Sequence, residues 1–161
     1  AAWAAAWEAA IPAPTAAADA EAIAWAPAAA ASCAGSVTTQ GTVPTWVDVA
    51  GGHNNPRGVP FSIDQGQTVA AYIWGYRLRA GHPENPSNKI LFVVRAPRGG
   101  SDLTIYAHPL GAATPVVKVV QAADSGPGEI YPSIVDVPTA GCWVVDLAWG
   151  SHRATLDLPY A

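Results

Sequence analysis

Residues 137–160, VPTAGCWVVDLAWGSHRATLDLPY, decide the fold. Within them Trp149-Gly150-Ser151-His152 carries the signature of a two-residue hairpin turn with glycine first, the type II′ pattern. Folding the chain back on that turn sets Trp149 opposite His152, Leu147 opposite Ala154, Val145 opposite Leu156 and Trp143 opposite Leu158. Those residues share one face, and all but His152 are apolar, so that face is expected to meet the core. The other face pairs Ala148 with Arg153, Asp146 with Thr155, Val144 with Asp157 and Cys142 with Pro159. A cysteine therefore opens a strand whose core face it does not share.

Working back from the hairpin, short apolar segments recur with Gly or Pro between them. IYPSIVDV (130–137), PVVKVVQ (115–121), LTIYAHPL (103–110) and NKILFVVRAP (88–97) read as strands. So does the run after Gln65-Gly66 in 63–79, where Val69, Ala71 and Ile73 alternate with Ala70, Tyr72 and Trp74. Both of its faces are apolar, as befits a central strand covered on both sides, with Tyr72, Trp74 and Tyr76 buried beneath a second layer. TWVDV (45–49) and FSI (61–63) are shorter candidates. No sustained helical period follows residue 34. The spacing predicts an all-β fold of roughly eight strands, an immunoglobulin-like antiparallel β-sandwich spanning 35–161. A cystine of the antibody kind, joining the two sheets, would need its second cysteine on the strand near 69–77, and none is there.

Residues 1–34 differ in kind. Ala fills 20 of those 34 positions, and Pro12, Pro14 and Pro27 interrupt any long helix. No Lys or Arg precedes Arg57, so the positive start of a secretory signal is missing, and with no Met anywhere the chain is expected to be a processed form or one whose first residues stand under other identities. The segment reads either as an extended Ala/Pro-rich N-terminal arm with few large apolar residues, or as a stretch in which some alanines stand for side chains of unknown identity. Such an arm gains order by lying on another chain, with Trp3, Trp7 and Trp25 as anchors.

Two cysteines, Cys33 at the edge of the arm and Cys142 on the hairpin, leave three readings open. A disulfide would tie the arm across the outer face of the last hairpin and imply an oxidising compartment. A lipid on Cys33 is the second reading, since AAASC faintly matches a lipobox; a pair of free, partly buried thiols is the third. The segments NKILFVVRAPRGGSDLTI and GPGEIYPSIVDVPTAGCWVVDLAWGSHRATLDL together resemble a group of uncharacterised bacterial secreted proteins and lipoproteins. That group shares a C-terminal hairpin opening with Gly-Cys-Trp and an earlier cysteine near the start of the mature domain. The resemblance covers about residues 33–160 and implies an extracytoplasmic, cell-envelope β-domain with no assigned activity.

Composition narrows the function further. Only 12% of residues are charged and the formal net charge is −4, so no basic face for nucleic acid is expected. No apolar run approaches the roughly 20 residues of a membrane span. The four histidines, His53, His82, His108 and His152, show no metal-ligand spacing, and no G-x-S-x-G elbow is present. The loop GGHNNPRG (51–58) is the weak ligand candidate, offering His53, Asn54, Asn55 and Arg57. Arg77, Arg79, Arg95 and Arg98 would gather at one end of the sandwich if their strands pair, forming a patch for an acidic partner or for lipid headgroups in peripheral membrane contact. The expectation is a non-catalytic extracytoplasmic accessory or structural subunit, without cofactor, that contacts other envelope or membrane-complex proteins through its arm. A ligand- or metal-binding sandwich, or a fibre subunit exchanging its arm between copies, is the alternative.

Overall fold

The computed structural model describes residue 33 and residues 41–51, 54–74, 77–81, 88–124 and 126–161. Eight strands and one short helix make up these residues: α1 (Thr45–Gly51), β1 (Phe61–Ile63), β2 (Val69–Ile73), β3 (Lys89–Val94), β4 (Leu103–Pro109), β5 (Val117–Gln121), β6 (Ile130–Ile134), β7 (Gly141–Trp149) and β8 (His152–Tyr160). They form two four-stranded sheets, ordered β1-β2-β3-β6 and β5-β4-β7-β8, with every pairing antiparallel. The sandwich expected from the strand spacing is present.

The closing hairpin has the register read from its turn, from Trp149↔His152 down to Cys142↔Pro159. At that turn Gly150 takes φ 57° while Ser151 stays out of the positive region, which is the type II′ form. Inward-facing Trp143, Val145, Leu147 and Trp149 of β7 and Leu156 and Leu158 of β8 pack against Val69, Ala71, Ile73, Ile90, Phe92 and Val94 of the opposite sheet. Several of these side chains are wholly buried, each contributing about 1.5–3 kcal/mol by removal from water.

A second, smaller core lies on the outer side of the first sheet. Ala70, Tyr72, Leu91 and Val93 meet Val43, Val47, Val59 and Phe61 there, with Trp46, Ala50 and Trp74 at the margin. This cluster explains why β2 and β3 are apolar on both faces. The cover is α1 and the segment leading into β1.

That cover corrects one expectation, since TWVDV is helix rather than strand. In a strand Thr45, Val47 and Val49 would share a face, but Val47 is fully buried and Val49 is 77% exposed. The pattern that counts is Val43, Val47 and Gly51, four apart, all buried. Pro44 opens the turn, its carbonyl accepting from the Val47 and Asp48 amides at 3.0 and 3.3 Å. Gly51 then lets the helix end rest on Val93. A seven-residue helix shows two turns of its period only when its flanks are included.

The disulfide reading holds: Cys33 and Cys142 are bonded, with Cα atoms 5.4 Å apart. The bond lies on the outer face of β7, at the end of the sandwich away from the 150–151 turn. It does not join the two sheets, unlike the cystine of antibody domains. The rest of the arm, including Trp3, Trp7 and Trp25, lies outside the described residues, as does Tyr76.

Candidate functional site

Antiparallel pairing decides which charged groups meet. Val69 pairs with Val94, so Thr68 and Arg95 extend the β2–β3 ladder at one end, and the Arg95 amide donates to the Thr68 carbonyl at 2.8 Å. The 150–151 turn of the other sheet arrives at the same end. There the Trp149 indole Nε1 donates to the Ala96 carbonyl at 3.2 Å, and the His152 ring leans against Trp149 with centroids 5.5 Å apart. Thr68, Arg95, Ala96, Trp149, His152 and Arg153 enclose a cleft of about 270 Å³ between the sheets.

Two exposed guanidiniums border the cleft. Arg95 donates to the Gln67 carbonyl at 3.4 Å and lies 5.6 Å from the Trp46 ring centre, which ties the cleft to α1. Arg153 folds back on the turn, donating to the carbonyls of His152 at 2.8 Å and Gly150 at 3.4 Å. Neither has a carboxylate partner among the described residues. The Thr68 donors on the cleft are committed. Thr68 gives both its amide and its hydroxyl to Asp64, whose carboxylate also takes the Val69 amide at 2.7 Å.

The four arginines singled out in the sequence do not gather. Because β2 and β3 run antiparallel, residues after β2 lie at the opposite end from residues after β3. Arg77 and Arg79 therefore sit away from Arg95 and Arg98. Arg79 is held there through its backbone, which exchanges hydrogen bonds with the Asn88 side chain at 2.7 Å each way, while Asn88 also donates to Asp136 at 2.8 Å. Arg98 is at the cleft end but is occupied. It pairs with Glu129 at 3.5 Å and donates to the Ile130 and Gly126 carbonyls at 3.1 and 3.4 Å. It also lies over Tyr131, whose hydroxyl donates to the Ser101 carbonyl. Burial pushes the Tyr131 phenol up to about 12, with the nearby Arg98 charge pulling the other way.

The 51–58 loop has a structural use. Asn55 is buried at φ 59°, donates to the Gly41 and Val59 carbonyls at 3.1 and 2.9 Å, and accepts from the Val59 amide at 2.9 Å. Arg57 is exposed and stacks 5.8 Å from Trp74, Asn54 is exposed, and His53 lies outside the described residues. Through Asn55 the loop fastens the segment that covers the first sheet, and none of its described residues lines the cleft.

One further polar group has the components of a catalytic set. His108 Nε2 lies 3.2 Å from Asp146 Oδ2, while Thr155 donates to Asp146 Oδ1 at 2.8 Å. The order is wrong for activating the hydroxyl, since the carboxylate sits between Thr155 and the imidazole. The other ring nitrogen faces the Ala112 carbonyl at 2.9 Å. Among the described residues no three His, Cys, Asp or Glu side chains are grouped as metal ligands would be.

Sequence reading found Arg95 but not Arg153, which its register places merely on the outer face. The missing signal was that a guanidinium following a tight turn reaches around the end of the sheet. His152 was legible as the partner of Trp149, though not as a wall of the cleft. No protein-family model matches the chain, and no curated protein or solved structure does.

Proposed function

We propose that this is a non-catalytic, extracytoplasmic accessory domain that works by contact, and that the contact is made at the hairpin end of the sandwich. The observation that carries the reading is the contrast between its polar groups. Asp64, Asn55, Asn88, Glu129 and Arg98 are bound up in turns and strand ends, each hydrogen-bonded to backbone. Arg95 and Arg153, beside an open cleft, are bonded only to backbone carbonyls and meet no carboxylate among the described residues. Cationic groups left facing solvent around a concave site favour recognition of an acidic partner.

The cystine supports placement in an oxidising compartment, where such bonds persist. It fastens the N-terminal segment at the end opposite the cleft, so a tether there leaves the hairpin end free to engage. Among the described residues no helix is long and apolar enough to cross a membrane.

A photo-crosslinking residue placed at Ser151, on the exposed turn, tests this in the native host. Ala113, exposed beyond the far end of β4, is the control. A discrete adduct from Ser151 that Ala113 does not give is the expected result. Equal labelling from both positions, or none from either, contradicts the proposal.

A further inference from the structure

We infer that the cleft between the sheets receives a single carboxylate, supplied by the acidic side chain of a partner polypeptide. This deepens the contact reading above and rests on it. Four features of the site select the ligand.

The first is the kind of donor on offer. A bound phosphate ordinarily sits in a nest of backbone amides. Here the Arg95 amide is spent on Thr68, and the Thr68 amide and hydroxyl are spent on Asp64. What remains are the exposed His152 ring and two guanidinium forks, Arg95 and Arg153, whose planar pair of N–H groups matches the two oxygens of a carboxylate.

The second is size. About 270 Å³ lies at the small end of the range of roughly 300–1,000 Å³ typical of ligand sites and has room for a side chain such as glutamate. The third is the wall. Ala96 and Trp149 make it apolar, which accommodates the methylenes that carry a glutamate carboxylate. Trp149 is only 2% exposed, so it offers no open ring face on which a sugar or a base would stack. The fourth is long-range charge. A formal net charge of −4 disfavours an extended polyanion, while a lone carboxylate responds mainly to the two arginines nearest it.

The geometry also keeps the site formed before anything binds. Arg95 rests on Trp46, Arg153 is folded onto the turn, and Trp149 is held by Ala96. Part of the side-chain freedom is therefore already given up when a partner arrives.

The test is an NMR titration of the full chain labelled with ¹⁵N, following the Trp149 indole N–H and the Arg95 and Arg153 Nε–H signals. The probes are a capped tetrapeptide bearing one glutamate, the same peptide with glutamine, benzoate, and inorganic phosphate. The glutamate peptide should shift all three signals saturably, and the glutamine peptide should not. Arg95→Gln and Arg153→Gln should each weaken the glutamate peptide about tenfold while their remaining spectra stay those of the folded wild type. Equal binding of both peptides, or unchanged binding in both variants, overturns the inference. So does phosphate or benzoate binding more tightly than the peptide. An adduct from Ser151 without any peptide shift would retain the contact reading and discard the carboxylate. A peptide shift without an adduct would discard the protein partner.

Discussion

The Trp149 indole donates to the Ala96 carbonyl at 3.2 Å, and by that bond the closing hairpin of one sheet grips the end of β3 in the other. Trp149 is almost wholly buried, so the bond and the packing act together. Trp149→Phe keeps most of the packing but orphans the carbonyl, and is expected to cost about 1–3 kcal/mol. Trp149→Ala also opens a cavity, for about 3–5 kcal/mol. Urea unfolding with unchanged slope and these two midpoint shifts is the expected outcome. A shift in the Phe variant as large as that in the Ala variant would mean that the hydrogen bond, and not the indole volume, holds the hairpin.

The cystine closes a loop with a sequence separation of 109 residues. Constraining so long a loop in the unfolded chain gives about 4–5 kcal/mol in the chain-entropy model. Replacing both cysteines with serine should lower stability by an amount of that order without altering the β-sheet circular dichroism. Thiol labelling of the denatured, unreduced protein should find no free cysteine. Labelling of both would contradict the bond.

Gly128 adopts φ 87°, and a Cβ there would stand 2.9 Å from the Ala50 carbonyl oxygen. The next residue, Glu129, donates its amide to that same oxygen at 2.8 Å, which docks the end of α1 on the loop before β6. Gly128→Ala therefore meets both a strained backbone and a backbone clash. It should destabilise by more than about 1 kcal/mol. Native-state hydrogen exchange should speed up at the Glu129 amide more than in the β7–β8 hairpin. Uniform acceleration would show that α1 is not a separately docked cover.

Alkali should unfold the protein through its tyrosines. Burial pushes Tyr131 up to about 12 and raises Tyr72 and Tyr160 as well, the last wholly enclosed with its hydroxyl on the Val135 carbonyl. An unfolded tyrosine loses its proton near pH 10, so above that pH the unfolded chain binds fewer protons than the native one. The stabilisation is complete below about pH 10 and declines as pH rises through the folded value, by up to about 1.4 kcal/mol per pH unit for each such tyrosine. Denaturant midpoints measured between neutral pH and about pH 11 should fall only at the upper end, with tyrosinate absorbance from these residues appearing together with unfolding. A midpoint that is flat to about pH 11 would show that these phenols are not shielded.

The hairpin and its register were legible because period-two alternation and a Gly-first turn are local signals. Long-range placement was less so. The helix at Thr45–Gly51 is too short to display its period within its own bounds, and its apolar face is completed by Val43, outside it. The cleft was half visible. Arg95 was a candidate from its position at a strand end, whereas its separation from Arg77 and Arg79 follows from the direction of β3 against β2. Arg153 entered only when the two sheets were brought end to end. The outer-face position of Cys142 was legible from the hairpin register, but the Cys33–Cys142 bond was among three open readings, and only the fold decides it and sets it at the end away from the cleft.

Charge reversal at the cleft tests the central claim most directly. The variant carrying Arg95→Glu and Arg153→Glu changes two exposed side chains that have no carboxylate partner among the described residues. It should fold with nearly unchanged thermal stability, apart from the modest loss of the Arg95–Trp46 contact, about 0.5–1 kcal/mol. Purified from its native host under mild conditions and sized by gel filtration, wild type should elute with a partner polypeptide and the variant alone. A folded variant that still elutes with the same partner in the same proportion would contradict the account.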